Sequence, residues 1–458
     1  MKIKLDSFCF GVSVFFVVFV SCNSGGKSST SEDINNSRAI SDDSLMTLIQ
    51  YRTFQYFWDG AEPVSGLARE RIHMDGIYPQ NDQTVITSGG SGFGIMAILV
   101  GIERGFITRQ QGFERLNHIA DYLKNAERFH GAWSHWLYGE TGKAKPFSPK
   151  DNGGDLVETA YLVQGLIAAR QYFREGNDSE MELAAKLDTL WKEVEWDWYR
   201  KNDENVLYWH WSPQYQWEMN FPVKGYNECL IMYVMAAASP THGIPAEVYH
   251  EGWARSGEIR SANEKYGYKL ILSHNGAEEY GGPLFWAHYS YLGIDPRGLK
   301  DQYADYWELN RNHTLINRQY CIENQMNFEG YGENCWGLTS SYSPKGYAGH
   351  SPGRDLGVIS PTAALSSFPY TPEYSMQAMR FFYEELGDKL LGEYGFYDAF
   401  SIQDDWFPQR YLAIDQGPIV VMIENHRTGL IWDLLMSSEE VKQGLAKLGF
   451  TYNEKHRY

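Results

Sequence analysis

Apolar residues recur at three- and four-residue intervals along most of the chain, and the segments they define alternate in character. "GFGIMAILVGIE" (92–103) and "VETAYLVQGLIAAR" (157–170) are small-residue-rich and apolar nearly all round, so each can be enclosed on every side. "SEMELAAKLDTLWKEVEWDW" (179–198) is amphipathic and charged, so one of its faces must meet water. The periodicity predicts twelve helices, over 43–59, 92–106, 109–126, 155–174, 179–200, 222–238, 245–255, 282–292, 301–324, 360–368, 371–387 and 416–436. Thr108 with Gln111 and Ser179 with Glu182 fit capping boxes, and Pro372 after Thr371 fits a first helical position. Helices that alternate between enclosed and amphipathic predict an all-α toroid of six hairpins, an (α/α)6 barrel, rather than a bundle.

Between these segments lie long loops rich in aromatic residues and glycine: "FHGAWSHWLYGETG" (129–142), "VLYWHWSPQYQWEMN" (206–220) and "FEGYGENCWGLTSSYSPKGYAGHSPGRD" (328–355). Loops of this length inside a packed domain are usually functional or disordered, and their Trp and Tyr content argues for order. Short β-hairpins are expected within them, at the cleft end of the barrel.

The first residues have a different pattern. Lys2 and Lys4 precede an apolar run from Phe8 to Val20, followed by Ser21-Cys22, the arrangement of a lipoprotein-type secretory signal. The run is shorter than the ~20 residues a membrane span needs. The expected organisation is a signal peptide over 1–21, a flexible Ser/Gly/Asn-rich tether over 22–42, and one domain over 43–458. The mature protein is then exported and held to a membrane by lipid on Cys22.

A net charge of −18 excludes a nucleic-acid partner, which requires clustered Lys and Arg. Cys229, Cys321 and Cys335 have no metal-ligand spacing and are expected as buried free thiols, with a Cys321–Cys335 disulfide as the alternative. Neither a metal nor a cofactor is indicated. "VITSGGSGFGIMAIL" resembles a dinucleotide turn only superficially, because the third glycine position is occupied by Ile95. Its glycines are expected to permit close packing where a helix begins.

The chemistry concentrates in carboxylates. Asp151, Asp155 and Glu158 fall within eight positions, at the mouth of a helix that is apolar from Ala160 onward. Asp155 and Glu158 also make an acceptable cap. Two carboxylates about 5 Å apart repel by about 3 kcal/mol at an effective dielectric near 20, about two pKa units. Carboxyls with split pKa values are the equipment of glycoside hydrolysis. Glu228 precedes Cys-Leu-Ile-Met in an apolar helix, where burial would raise its pKa and suit it to a general acid; a buried ion pair is the alternative. Asp415, before the last inner helix, reads either as an N-cap or as a second carboxylate across the cavity, and Glu424 as a structural partner. Trp133, Trp136, Trp209, Trp211, Trp336 and Trp406 all fall in loops, near His135, His210, Tyr226, Asn227 and Arg410. Rings that stack on sugar faces beside groups that bind hydroxyls predict a carbohydrate cleft.

"SPKDNGGDLVETAYL", "YWHWSP", "GYNECLIMY", "ENCWGLTSS", "SPTAALSSFPYTPEYSM" and "LAIDQGPIVVMIENHRTGLIWDLLM" together resemble the glycoamylase-like family of Bacteroidetes lipoproteins, glycoside hydrolase family 144. The resemblance runs from about residue 45 to 450. It implies an (α/α)6 barrel and an inverting β-1,2-glucan hydrolase that releases sophorose or short β-1,2-gluco-oligosaccharides; it does not decide between endo and exo action, of which endo is the expectation. It places the family's functional acids on Asp151, Asp155, Glu158 and Glu228. Glu228 is then the general acid, delivering its proton through a substrate hydroxyl, and Asp415 is the candidate on the base side. The alternatives are an exo-acting sophorose-releasing enzyme, an α-glucan-cleaving glucoamylase and a non-catalytic glycan-binding lipoprotein.

Overall fold

The computed structural model describes residues 40–78 and 82–453; the expected signal peptide, Cys22 and nearly all of the tether lie outside them. From Asp42 onward the chain forms one unit. Its helices are α1 Asp42–Trp58, α2 Ser88–Glu103, α3 Arg109–Asn125, α4 Leu156–Phe173, α5 Asp178–Lys192, α6 Leu230–Ala238, α7 Tyr306–Glu323, α8 Pro361–Leu365, α9 Pro372–Glu384, α10 Gly387–Leu390, α11 Ala413–Arg427, α12 Leu430–Met436 and α13 Glu439–Lys447. Outer helices α1, α3, α5, α7 and α9 alternate with inner elements α2, α4, α6, α8 and α11. The remaining hairpin is reduced to a π-turn, Val248–Trp253, and two 3-10 turns, Leu284–Ala287 and Tyr289–Tyr291. The result is the expected (α/α)6 barrel.

The enclosed segments are where the pattern put them. Every residue of α6 is buried, as is α4 apart from Tyr172. The contact of α2 with α4 depends on glycine: a Cβ on Gly92 would stand 2.1 Å from the Tyr161 carbonyl oxygen, and one on Gly165 2.4 Å from that of Gly92. The glycines of "SGGSGFG" therefore serve packing, as expected. Arg104 clamps Glu424 through two hydrogen bonds of 2.6 and 2.8 Å, so Glu424 is structural. Cys229, Cys321 and Cys335 are free and buried.

Several boundaries differ from the sequence expectation. The segment 179–200 stops as an α-helix at Lys192, and a 3-10 turn covers Trp196–Arg200. Its capping box is formed by Asn177 and Glu180 rather than Ser179 and Glu182. The helix expected over 222–238 begins only at Leu230, because Gly225 has φ +79° and Tyr226 is tied to His274 and Asn310. Glu228 therefore precedes the helix. The segment 416–436 is two helices broken at Gly429, φ +76°, and α13 was not expected.

Short strands feed the inner helices at one end of the barrel. Val85–Thr87 leads into α2 and pairs with Trp136–Tyr138, which pairs with Ala144–Lys145. Gly154–Asp155 leads into α4 and pairs with His210–Trp211. Arg71–His73 pairs with Arg410–Leu412, which leads into α11, and Ser340–Ser343 pairs with Gly346–Gly349. These pairings hold the chemistry-bearing loops in register over the inner-helix N-termini. Among the described residues, no helix is long and apolar enough to cross a membrane.

Candidate active site

A cavity of about 310 Å³ opens at this end of the barrel, within the size range of ligand pockets. Its walls are Glu70, Arg71, Thr87, His135, Trp136, Phe147, Glu158, Tyr161, Trp209, Glu228, Phe285, Tyr289, Tyr342, Tyr347, Leu412 and Ile414.

The acidic cluster of 151–158 is both cap and site. Asp155 is fully buried and N-caps α4, its Oδ1 accepting from the Glu158 backbone N–H at 2.9 Å. Its Oδ2 lies 2.9 Å from His135 Nδ1. Glu158 Oε2 accepts from the Gly89 backbone N–H at 2.9 Å, at the first turn of α2, where a helix N-terminus favours a carboxylate. Asp151, also buried, lies 3.4 Å from His210 Nε2. The antiparallel pair Asp155–His210 sets that approach and directs Trp211 to the opposite face.

Electrostatics assign the protons. Burial opposes a charge on His135, but Glu158, the hydrogen bond to Asp155 and the Asp151 carboxyl outweigh it and raise the imidazole to about 9. Burial also opposes ionisation of Asp155, yet the bond from His135 holds it below the usual carboxylate range. Asp155 and His135 therefore form an ion pair. Burial, then Asp155, pushes Asp151 up to about 7; burial, with Asp155 opposing the pull of His135, lifts Glu158 to about 7. His135, Asp151 and Asp155 bring metal-ligand-type atoms within 4.8 Å of one another. The Nδ1 of His135 is occupied with Asp155, and a protonated imidazole offers a metal no lone pair.

These shifts predict a pH dependence of stability. Three carboxyls, Asp151 and the cavity-lining Glu158 and Glu228, sit near 7 in the fold against ordinary values near 4. The fold retains protons that the unfolded chain releases, so they remove stability as pH rises from about 4 to 7. The paired His135 contributes fully below its ordinary value and loses that contribution as pH rises through about 9. Both effects have the same sign, so the melting temperature is expected to fall steadily from about pH 5 to 9. Thermal unfolding across that range checks it.

Glu228 faces the cavity from the turn before α6. Asn227 Oδ1 accepts from the Cys229 backbone N–H, and the Glu228 carbonyl accepts from the Ser290 hydroxyl, which fixes the backbone. Among the described residues, no other side chain hydrogen-bonds its carboxyl. Burial raises it to about 7, with smaller contributions from Glu158 and Asp155. Asp415 lies in the first turn of α11, past the N-cap position, behind the wall of Leu412, Ile414 and Tyr289. The Tyr289 phenol, itself buried, is pushed up further by Asp415, Glu158 and Glu228, which places both sides of the cavity around one ring.

Of the aromatic and polar residues expected at the cleft, His135, Trp136 and Trp209 line the cavity. The others stand elsewhere. Trp133 is fully buried with its indole N–H on the Leu123 carbonyl, and Trp336 is fully buried too. Tyr226 is a core residue bonded to Asn310 and the Trp286 carbonyl. Asn227 is spent on its own turn. Trp211 packs against His130 and Trp198. Trp406 covers an apolar cluster of Tyr342, Val358, Ala399 and Leu412, and Arg410 pairs with Asp75. Strand alternation turned Trp133 and Trp211 away from the cavity, while Trp336 is enclosed in the core. The wall residues not foreseen include Tyr161 and Tyr289, hidden in apolar runs. Glu70 and Arg71 were also missed, since "ARERIH" shows no spacing that marks a site.

Gly89 couples a single methyl group directly to the site. A Cβ there would stand 2.3 Å from Glu158 Oε2 and 2.9 Å from the Tyr161 ring. Gly89→Ala is expected to displace Glu158 and to lower kcat/KM about 100-fold, with about 1–3 kcal/mol of overpacking cost. Steady-state kinetics and thermal unfolding of the variant check both.

The family model described as "Putative glucoamylase" matches residues 220–439. An endo-β-1,2-glucanase from Chitinophaga pinensis, solved with sophorotriose and glucose, is 67% identical, with 90% of this chain and 99% of that chain covered and a TM-score of 0.89. A glucoamylase-named structure from Bacteroides fragilis is 60% identical, covering 92% and 99% of the two chains, TM-score 0.90. An exo-β-1,2-glucooligosaccharide sophorohydrolase from Parabacteroides distasonis is 46% identical over 430 residues, 89% of this chain, which spans only 58% of that relative's length. With near-complete coverage at this identity, the chain belongs to the glucoamylase-like family, glycoside hydrolase family 144.

Proposed function

We propose that the protein is an inverting, endo-acting glycoside hydrolase that cleaves β-1,2-glucan to sophorose and short β-1,2-gluco-oligosaccharides. The observation that carries the reading is Glu228: a carboxyl in the wall of a cavity, raised to about 7 by burial, with no other side chain among the described residues bonded to it. Such a group is protonated in mildly acidic solution and free to give its proton to a glycosidic oxygen, directly or through a substrate hydroxyl. Asp415 supplies the base side across Tyr289. Glu158, on the cavity wall, binds sugar hydroxyls, while Asp151 and Asp155 behind it fix His135 and set the field around the acid. Trp136 and Trp209 offer faces for sugar rings.

The linkage rests on the relatives, whose names specify β-1,2-glucans. Endo action is favoured because the endo-acting relative matches at 67% identity over almost its whole length, against 46% for the exo-acting one. Incubation with linear β-1,2-glucan, starch, β-1,3-glucan and β-1,4-glucan, with products resolved by size over time, tests it. A ladder of oligomers from β-1,2-glucan alone is expected. Sophorose alone from the first minutes would mean exo action, and glucose from starch would restore a glucoamylase.

The Phe8–Val20 run with Ser21-Cys22 supports export and a lipid anchor on Cys22. Labelled fatty acid should enter the wild-type chain in cells and not Cys22→Ser.

A further inference from the structure

Behind the cavity wall, two buried carboxyls face each other, and the reaction as described uses only one of them. Asp415 is 2% exposed, and neither of its oxygens meets an N–H or hydroxyl in good hydrogen-bond geometry. Asp398 is 4% exposed; its Oδ2 accepts from the Tyr342 backbone N–H at 2.7 Å, while Oδ1 has no such donor. The Asp398 N–H donates to the Arg410 carbonyl at 2.9 Å and Gln416 Nε2 to the Phe396 carbonyl at 3.1 Å, which sets the two carboxyls side by side and within hydrogen-bonding reach.

Carboxylates carry only acceptors, so a hydrogen bond between them exists only when one holds a proton. The arrangement shows which one does. The Tyr342 N–H stabilises charge on Asp398, whereas Asp415 has only the Tyr289 phenol, which approaches it outside good hydrogen-bond geometry. Asp398 is therefore the ionised member and Asp415 the protonated one, with its O–H on Asp398 Oδ1. That assignment satisfies the remaining Asp398 oxygen and leaves one Asp415 oxygen free to accept. The other groups acting on the pair are Glu70, Arg71 and the phenols of Tyr289, Tyr342 and Tyr347. Arg71 is already paired with Glu70 and Asp82, so its charge does not release the shared proton. The shifts agree: burial, before any neighbour, lifts Asp398 to about 6, and burial and then Asp398 push Asp415 further up.

We propose that Asp398 and Asp415 form one proton-sharing unit in which Asp398 is a positioning residue acting through Asp415. The inference rests on the reading of Asp415 as the base side. As the attacking water forms its bond to the anomeric carbon, its proton passes to the hydroxyl oxygen of Tyr289, which lines the cavity, while the Tyr289 proton passes to the free oxygen of Asp415. The proton already on Asp415 passes to Asp398, which becomes neutral. The glycosidic C–O bond breaks, and its oxygen receives the proton of Glu228. The pair then releases its one extra proton to solvent and Glu228 takes one up, which restores the resting state before the next turnover.

Kinetics on β-1,2-glucan and melting temperatures, both from pH 5 to 8, test the unit with Asp398→Ala, Asp398→Asn and Asp415→Asn. Asp398→Ala leaves Asp415 a lone, neutral buried acid, so kcat at pH 6 is expected to fall about 10²–10⁴-fold with KM little changed, recovering partly toward pH 8. Asp398→Asn keeps the Tyr342 contact and turns its amide N–H toward Asp415, so it is expected to restore most of that loss. It also removes the retained proton, so its melting temperature falls less steeply with pH than that of the wild type. A pH-independent loss shared by Ala and Asn, or wild-type and Asn melting curves that run parallel, would overturn the proposal. If the Ala variant does not fold, the Asn melting curve decides alone. Activity retained by Asp415→Asn would instead overturn the base reading, with the melting curves still judging the shared proton.

Discussion

Glu228→Gln is expected to lower kcat on β-1,2-glucan by about 10²–10⁴-fold while leaving the affinity for the oligosaccharide nearly unchanged. The amide has the shape of the protonated acid, and no neighbouring side chain depends on the carboxyl, so the cavity should remain intact. What is lost is a proton available at the pH where the enzyme works. The wild-type pH profile carries the same signature. The acid must be protonated, so kcat/KM is expected to fall as pH rises through about 7, the value to which burial raises Glu228. Turnover numbers, together with calorimetric binding to the variant, separate the roles. An equal loss of binding would make Glu228 a substrate-holding residue instead of the acid.

The second large effect is at Asp155. Asp155→Ala removes the N-cap of α4, which costs about 0.5–2 kcal/mol. It also leaves the His135 imidazolium without its partner, and breaking such a buried pair costs about 3–5 kcal/mol. Asp155→Asn keeps an oxygen for the Glu158 N–H, so the cap survives and only the charge pairing is lost. Both variants free His135 and shift Glu158, and kcat/KM is expected to fall at least about 100-fold in each. Chemical denaturation should rank the wild type above Asn and Asn above Ala. Equal stability of all three would show that the ion pair does not hold the site together.

How far the sequence reaches is clear from particular residues. The enclosed character of 157–170 and the charged face of 179–198 revealed inner and outer helices, because burial on all sides leaves a compositional mark. The carboxylates at 151, 155 and 158 were legible for the same reason: three charges at the mouth of an apolar helix are out of place. Their dual role, cap and site together, was not, since it depends on His135 arriving from a different strand. The rings at 133 and 211 were placed at the cleft by their loops, but which side a ring takes depends on pairing register, as Asp155 opposite His210 shows. Tyr161 and Tyr289 read as core because a cavity wall and a core share one composition. Asp398 gave no signal at all. A lone aspartate in "YGFYDAF" becomes notable only when folding sets it against Asp415, which lies seventeen residues later and on the far side of a strand.

The most direct test is to follow the first bond cleavages in β-1,2-glucan by proton NMR, with the Glu228→Gln variant as control. An inverting reaction through Glu228 predicts that the new reducing ends appear first as the α-anomer and that the variant releases almost none. Reducing ends that appear first as the β-anomer, or β-1,2-glucan left intact by the wild-type protein, would contradict the account.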